Sequence, residues 1–448
     1  MRKPAVDNFQ RNPLPRRALL KRAGLAGLAL ATARLGGALT RAPVAVAGPS
    51  NKYAGVTLTL LAQGGTAYEP ALQAWGKEFG SATGAKVDFD FTPWESTMPK
   101  IQADLAAGTP RYDMLLNDIE FQYTIFPSLL PINDLIKKKN YDMSGFLQPV
   151  YKYGEGIAGQ KGVRYGIPLT AGVAFVIYRT DLIKGNVPPT WSGYFDALKQ
   201  NTGGGRYGSS FAGVPAQLVK LFLARYWSEG DPLLTPDWKP LINGPKGVKA
   251  LNMLAEQTSK YAPPGILAWD NPDAANAFTR GQVSIYEGWG SFIFPALNDP
   301  TKSQVANKWS IGLYPENGTG NFVQHNFVIF KRSQNPEAAF DFIAYATSPQ
   351  KEKEILIKFK DIPARKTVYT DPEVVAKVPY VTKMALALDR GRPFAPGVPY
   401  WLEMFIGLGD GLSTALSAKA SPQQALNDVA DKWTRLTRQN PLKFEYRE

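Results

Sequence analysis

Short apolar strands alternate with amphipathic helices in the segment that begins near residue 56. Leu72, Trp75 and Phe79 recur at helical spacing, whereas residues 86–91 alternate between polar and apolar as a strand does. The full pattern predicts strands over 56–61, 86–91 and 112–116 and helices that include 72–79 and 94–107. Strand, helix, strand, helix, strand is typical of a parallel sheet with helices over its faces. The sequence therefore predicts an α/β protein.

Five pairs of a polar residue followed by proline mark further helix starts. The polar side chain can accept a hydrogen bond from a free backbone N–H, and proline fits there because its own N–H would be unpaired. The pairs are Asn271-Pro272, Asn335-Pro336, Ser348-Pro349, Asp371-Pro372 and Ser421-Pro422. They predict helices over 272–280, 336–347, 349–359, 372–378 and 422–438, with strands over 283–287, 311–314 and 327–330.

The N-terminal segment has the features of an export signal. Arg16 and Arg17 precede a modest apolar run over residues 23–33, which is shorter than the roughly 20 residues needed to span a bilayer. Ala45-Val46-Ala47 then supplies a small-x-small cleavage pattern. Residues 1–47 are predicted to be a twin-arginine-type signal peptide cleaved after about Ala47. The alternative interpretation is a basic amphipathic surface helix.

The basic charge of the protein belongs largely to this segment. The formal net charge is +13, and residues 1–47 carry nine basic side chains and one acidic one, a net of +8, which leaves +5 (13 − 8). Nucleic-acid binding needs basic residues clustered on one face. The densest remaining run, Lys137-Lys138-Lys139, is typical of a solvated helix end. No nucleic-acid partner is predicted.

Cysteine is absent from the sequence. An exported protein without disulfides must stabilise itself by burial alone, and a protein of this length can do so with two or more domains. Because no lipid-attachment cysteine stands at the cleavage site, the mature protein is predicted to be free in the periplasm and not a lipoprotein. It is also expected to be a monomer.

Sequence motifs for catalysis are scarce. His325 is the single histidine, which argues against a histidine-rich metal site and leaves little for a Ser-His-Asp mechanism. Gly203-Gly204-Gly205 lacks the context of a phosphate-binding loop. Neither a catalytic residue nor a metal or other cofactor is predicted. Paired carboxylates for glycoside hydrolysis stay open, since such pairs meet only in space.

Three tryptophans stand in turn-like, Gly- and Pro-rich surroundings. Trp94 follows a strand, Trp289 lies in Tyr286-Glu287-Gly288-Trp289-Gly290, and Trp401 follows Gly397-Val398-Pro399-Tyr400. Strand-to-helix turns form the sheet edge where open α/β folds bind ligands, and a flat indole face suits the C–H face of a sugar ring. The alternative for each is core packing, which is the expectation for Trp75.

Several short motifs occur together in an order that resembles a known family. They are the stretch from Lys100 through Ala106-Ala107-Gly108 and Tyr112-Asp113-Met114-Leu115 to Asn117-Asp118, then Tyr165-Gly166-Ile167-Pro168, Ala277-Phe278-Thr279-Arg280-Gly281-Gln282, the 335–343 helix and Ile362-Pro363-Ala364-Arg365. The sequence resembles the carbohydrate-type (family 1) extracellular solute-binding proteins of ABC importers, which are maltose-binding-protein-like. The resemblance covers nearly all of the residues after the signal. It implies a two-lobed periplasmic-binding-protein fold of type II, each lobe a mainly parallel sheet flanked by helices.

The resemblance also implies a set of ligand-binding residues. These are Gln63, Gly64 and Glu69 after the first strand, Trp94, Asp118, Trp289 and Trp401. Asp118 has a helix cap as its alternative role, and Glu69 a solvated first-turn charge. The sequence departs from the family at Gln324-His325-Asn326, where glycines are more typical, so His325 and Asn326 are expected to line the cleft. Arg365 is a further candidate, with a hinge salt bridge as its alternative.

The implied lobes are residues 51–167 plus 322–362 and residues 172–314 plus 368–448, with hinges near 168–171, 315–321 and 363–367. The implied function is capture of a mono- or disaccharide or a polyol between the lobes and its delivery to ABC transporter permease subunits. Two alternatives stay open. One is a secreted carbohydrate-active enzyme, and the other is the same fold holding an anion, a polyamine or an iron complex.

Overall fold

The computed structural model describes residues 51–108, 111–153, 160–230, 232–316, 320–393 and 397–442. These described residues form one compact unit. The predicted signal peptide and residues 317–319 of the second predicted hinge lie outside the described residues.

Strands and helices alternate through the described residues as the sequence predicts. The strands are β1 (Thr57–Gln63), β2 (Lys86–Thr92), β3 (Met114–Asp118), β4 (Gly166–Arg179), β5 (Tyr207–Phe211), β6 (Val283–Trp289), β7 (Trp309–Gly312), β8 (Asn321–Ile329) and β9 (Arg392–Pro393). The helices of the first half are α1 (Glu69–Thr83), α2 (Trp94–Ala106), α3 (Ile119–Ile125), α4 (Asn133–Lys138), α5 (Gln148–Tyr153), α6 (Trp191–Gln200) and α7 (Pro215–Ser228).

The second half is richer in helix. Its helices are α8 (Pro245–Lys260), α9 (Asn271–Thr279), α10 (Gly290–Leu297), α11 (Pro336–Ala346), α12 (Pro349–Glu354), α13 (Pro372–Lys377), α14 (Val381–Arg390), α15 (Trp401–Leu416) and α16 (Pro422–Gln439). Short 3₁₀ turns cover Phe126–Ser128, Ile266–Ala268 and Lys366–Thr370, and a π turn covers Ile355–Phe359.

The sheet is mixed, with strand order β2-β1-β3-β8-β4-β6-β5, while β7 pairs with β4 and β9 with β8. The pairs β1–β2, β1–β3, β5–β6 and β8–β9 are parallel. The pairs β3–β8, β4–β8, β4–β6 and β4–β7 are antiparallel. The parallel pairings predicted from the strand–helix alternation are present, and the long return strands β4 and β8 add the antiparallel ones.

Strand β4 connects the two groups of strands. Its first half, from Gly166 to Val173, pairs with β8, and its second half, from Ala174 onward, pairs with β6 and β7. The register shifts between Pro168 and Thr170, within the first predicted hinge. A bulge bends a strand and increases its twist, so this position redirects the backbone between the two groups. The lobe boundaries themselves stay a prediction.

The proline-initiated helices all form, with small differences at their ends. Ser348, Asp371 and Ser421 accept capping hydrogen bonds as expected, whereas Asn335 makes none. Helix α9 begins one residue early because Asp270, not Asn271, caps it through a reciprocal pair with Asp273. Helix α7, which no sequence pattern had indicated, is almost wholly buried beyond its first turn.

A buried ion pair fixes strand β6 against helices α7 and α8. Arg225 Nη2 lies 3.0 Å from Glu287 Oε1, and both side chains have zero exposure. Tyr194 Oη and Gln257 Nε2 donate to the same carboxylate at 2.6 Å each. Burial favours the neutral acid, but Arg225 outweighs it and holds the pKa of Glu287 below its ordinary value. The network holds the end of β6, and with it Trp289, in a fixed place.

Candidate functional site

A cavity opens where several strands end and several helices begin. The space between its walls, counted together with the solvent at its open mouth, is about 780 Å³, of which about 70 Å³ can hold the centre of a water molecule. From the first predicted lobe it is lined by Gln63, Thr66, Trp94, Asp118, Val323, His325, Asp361 and Ile362, and from the second by residues of α7, α9, α10 and the end of β6. Trp94 and Phe405 touch across it, with ring centroids 6.1 Å apart. Of the predicted binding residues, Gln63, Trp94, Asp118, Trp289 and His325 meet here.

Asp118 stands at the end of β3 with both carboxylate oxygens engaged. Trp94 Nε1 donates to Oδ2 at 2.6 Å, and His325 Nε2 lies 2.9 Å from Oδ1. Although Asp118 occupies the N-cap position of α3, its side chain makes no capping hydrogen bond. The carboxylate is therefore directed to the cavity, and each oxygen keeps a lone pair that can accept a ligand hydroxyl.

His325 connects Asp118 to strand β4, which contains the first predicted hinge. Its Nδ1 lies 2.7 Å from Thr170 Oγ1, and its ring meets the edge of Tyr68 at 5.2 Å. Burial alone would lower the pKa of His325, but the adjacent Asp118 carboxylate raises it above its ordinary value. The imidazole thus ties a residue of β3 to a residue of β4 through β8.

Asp361 is a second carboxylate of the cavity, which the sequence interpretation missed. It is 3% exposed. Its Oδ1 accepts a hydrogen bond from the N–H of Ile362 at 2.8 Å, while Oδ2 has no partner among the described residues. Burial raises the pKa of Asp361 to about 6. A buried acceptor without a partner is costly, so this oxygen is available for a ligand donor.

Trp289 ends strand β6 and is half-buried in the cavity wall. Its Nε1 donates to Gln217 Oε1 at 2.9 Å, which fixes the plane of the indole. Gly172 lets strand β4 approach closely here, because a Cβ at this position would stand 2.7 Å from Val323 Cγ1 and 3.8 Å from the Trp289 ring. The indole is therefore held as a rigid surface beside the empty space.

Lys220 of helix α7 is a cation of the same wall. It is 1% exposed, and its Nζ lies 2.6 Å from Gln217 Oε1, 3.2 Å from Asn271 Oδ1 and 5.3 Å from the centre of the Trp289 ring. Burial lowers the pKa of Lys220 to about 7. The sequence did carry a signal, a lysine inside the apolar run Leu218 to Leu223.

Trp401 does not line the cavity, which corrects the expectation from its Gly- and Pro-rich surroundings. The side chain is fully buried, and its ring centroid lies 6.0 Å from that of Trp433. It begins helix α15, whose buried face includes Met404 and Leu408. Trp401 is thus a core residue, as is Trp75.

Four other predicted residues also lie outside the lining. Glu69 Oε2 accepts from the N–H of Gly65 at 2.8 Å, a local role at the start of α1, and Gly64 pairs its backbone N–H with Thr92. Asn326 is buried and donates to Gln122 Oε1 at 2.9 Å. Arg365 is buried as well: Nε donates to Thr347 O at 2.6 Å and Nη2 to Tyr141 Oη at 2.8 Å. Among the described residues, no carboxylate forms a salt bridge with the Arg365 side chain, as its alternative role in the hinge would require.

The cavity combines a flat aromatic surface with several hydrogen-bonding groups. Donors and acceptors placed around an indole can bind a compact polyhydroxylated molecule by stacking and by hydrogen bonds. Within the described ranges, no group of three or more His, Cys, Asp or Glu residues is placed to hold a metal ion. No described helix is long and apolar enough to cross a membrane.

Comparisons with known proteins agree with this arrangement. Residues 74–381 match the model of a family described as bacterial extracellular solute-binding protein. A curated relative from Sinorhizobium fredii, named a probable amino-acid ABC transporter periplasmic-binding protein, is 25% identical over 420 residues, which cover 92% of this chain and 95% of that one.

Solved structures with the same fold extend the comparison. An ABC transporter solute-binding protein from Agrobacterium radiobacter in complex with ribitol is 24% identical, with a TM-score of 0.77 and coverage of 86% of this chain and 99% of that one. Maltose-bound MalE3 from T. maritima is 21% identical, with a TM-score of 0.78 and coverage of 85% and 100%. The prediction of a two-lobed binding-protein fold is confirmed.

Proposed function

The chain belongs to the bacterial extracellular solute-binding protein family, and on that premise we propose that it captures a carbohydrate or polyol for an ABC importer. The solute binds in the cavity between the predicted lobes and is handed, unchanged, to membrane permease subunits. The single observation that carries this proposal is the placement of Asp118, fixed by Trp94 and His325, in the same cavity as the rigid indole of Trp289.

The chemistry of that pair suits a sugar. A carboxylate can accept hydrogen bonds from two neighbouring hydroxyls, and the indole face packs against the C–H groups of a sugar ring or of an open polyol. Gln63, Asn271 and Thr170 add neutral polar groups around the same space. The solved neighbours named with ribitol and with maltose support this ligand class.

Closure of the predicted lobes supplies the signal for transport. Residues 51–167 plus 322–362 carry Asp118, and residues 172–314 plus 368–448 carry Trp289. A solute that touches both walls has a higher affinity for the closed state and shifts the population toward it. The bulge in β4 between Pro168 and Thr170 lies where the first hinge, 168–171, is placed. The other hinges are near 315–321 and 363–367.

The remaining parts of the proposal concern location and assembly. The mature protein is a monomer, free in the periplasm, exported through a twin-arginine-type signal over residues 1–47 and cleaved after about Ala47. It performs no catalysis and needs no cofactor.

A thermal-unfolding screen of residues 48–448 tests the proposal. Sugars, polyols, sugar acids and free amino acids are added one at a time, and the unfolding midpoint is measured. A ligand at 100 times its Kd stabilises the folded state by about 2.7 kcal/mol. The proposal expects stabilisation by a carbohydrate or polyol and recovery of that compound unaltered by chromatography. Stabilisation by amino acids alone, as the name of the Sinorhizobium fredii relative suggests, would overturn it, as would chemical alteration of the sugar at catalytic rates.

A further inference from the structure

Lys220 is a buried cation whose hydrogen-bond partners are all neutral. Its Nζ contacts Gln217 Oε1 and Asn271 Oδ1, and no carboxylate lies within 4.0 Å of it among the described residues. An ammonium group has three N–H donors, so one remains for a further partner. Because Lys220 lines the cavity, that partner can come from the ligand.

Other buried cations of the described residues differ in their partners: two are paired with carboxylates, whereas Arg365 has only neutral partners and lies outside the cavity lining. Arg225 is paired with Glu287, and Lys351 contacts both Glu78 and Glu354, at 2.6 and 2.7 Å. A buried charge is tolerated when it is paired and is costly when it is not. Lys220 lacks such a pair among the described residues, although Asp270 and Glu287 lie near enough to favour its charged form electrostatically. Lys220 is thus a buried cation of the cavity wall whose charge an anion in the cavity would pair.

Two helix starts add positive potential to the same wall. Helix α7 begins just before Ala216, and α10 begins at Gly290, and both starts line the cavity. Neither N-cap residue, Val214 or Trp289, makes a side-chain capping hydrogen bond. The N-terminal end of a helix dipole attracts negative charge, although at α7 Pro215 has no N–H and the N–H of Gln217 already donates to Val214 O at 2.9 Å. The two helix starts therefore add to the preference for a negatively charged ligand group that Lys220 creates.

We infer that the solute is a sugar acid whose single carboxylate binds Lys220 beside Trp289, with its hydroxyl groups directed to Asp118. A monoanion fits better than a phosphate dianion for two reasons. Lys220 is the one lysine or arginine among the described lining residues, and the opposite wall carries the carboxylates Asp118 and Asp361, which repel excess negative charge. This inference rests on the proposed function and specifies its ligand.

Matched pairs of compounds test the inference. Ribitol with ribonate, mannitol with mannonate and glucose with glucuronate differ chiefly by a CH₂OH group replaced by a carboxylate. Glucose 6-phosphate is added as the phosphate probe. Titration calorimetry at pH 6.5 is run on the wild type, on Lys220→Met, on Lys220→Gln and on the control Lys199→Met, which changes an exposed lysine of α6. The unfolding midpoint of each ligand-free variant checks that it folds.

The expected result is that at least one acid binds about tenfold or more tightly than its neutral partner. Both Lys220 variants should weaken that acid at least about 30-fold, since truncating one member of a buried charged pair is that costly, while Lys199→Met leaves it unchanged. Neutral compounds that bind as well as their acids, or a phosphate that binds best, would overturn the inference and leave carbohydrate binding intact. If no compound of any pair binds while another neutral carbohydrate of the thermal screen does, the inference fails alone; if no carbohydrate or polyol of either experiment binds, the inference and the proposed function both fail.

Discussion

Replacing Trp289 by alanine removes the flat surface on which the solute is proposed to stack. A tryptophan buries roughly 200 Å² when fully covered, so one covered face is worth about 100 Å². At about 25 cal/mol per Å² this amounts to about 2.5 kcal/mol, or a loss of roughly 70-fold in affinity. Loss of the indole N–H adds no further penalty to this free energy, because Gln217 Oε1 still accepts a hydrogen bond from Lys220 at 2.6 Å.

Titration calorimetry with the best ligand of the thermal screen measures the loss. Trp289→Phe, which keeps a flat ring but loses the bond to Gln217, should retain most of the affinity. Trp309→Ala is the matched control, since Trp309 is half-buried against Tyr380, outside the cavity lining, with ring centroids 4.9 Å apart. It should lower stability and leave binding unchanged. Affinity of Trp289→Ala within about threefold of the wild type would refute the stacking argument.

Three further perturbations are expected to separate binding from stability. Asp118→Asn should weaken binding about 10- to 100-fold by calorimetry, because hydrogen bonds to a charged group contribute about 1.5–3 kcal/mol; unchanged affinity would contradict the site. Glu287→Gln should lower the free energy of unfolding by about 3–5 kcal/mol in urea, since Arg225 is left buried without its counter-charge, and a loss below about 1 kcal/mol would show that the pair is not needed. Burial lowers the pKa of Lys220 in the folded state from 10.5 to about 7. Between these two pH values the unfolded protein binds more protons than the folded one, so the free energy of unfolding without ligand should rise with pH across that window. Lys220→Met should remove this rise, and an identical pH profile in the variant would contradict the argument.

Local rules accounted for much of the fold. Ser348, Asp371 and Ser421 cap helices that begin with proline, because both signals lie within four residues of sequence. Asp270 shows the limit of the same rule, since the neighbouring Asn271 looked equally able to cap and only the reciprocal bond with Asp273 decided between them. Lobe membership could be inferred only from the family resemblance.

The site was less accessible to sequence reasoning because its residues come from distant segments. Trp289 and Asp118 follow strands directly, so their position at the sheet edge could be predicted. Trp401 has similar Gly- and Pro-rich surroundings, but the helix that it begins is buried, and the spacing of Met404 and Leu408 with it was the overlooked sign of a core position. The positions of Lys220 and Asp361 in the site could not be predicted, because they depend on helix α7 and the turn after Phe359 lining the same cavity.

The central claim is that one solute binds in the cavity between Asp118 and Trp289. A crystal structure of residues 48–448 with the compound that gives the largest thermal stabilisation tests it most directly. We expect one bound carbohydrate, with a hydroxyl within hydrogen-bond distance of the Asp118 carboxylate and its C–H face against the Trp289 indole. A solute bound elsewhere on the surface, or within the cavity but touching neither residue, would contradict the claim.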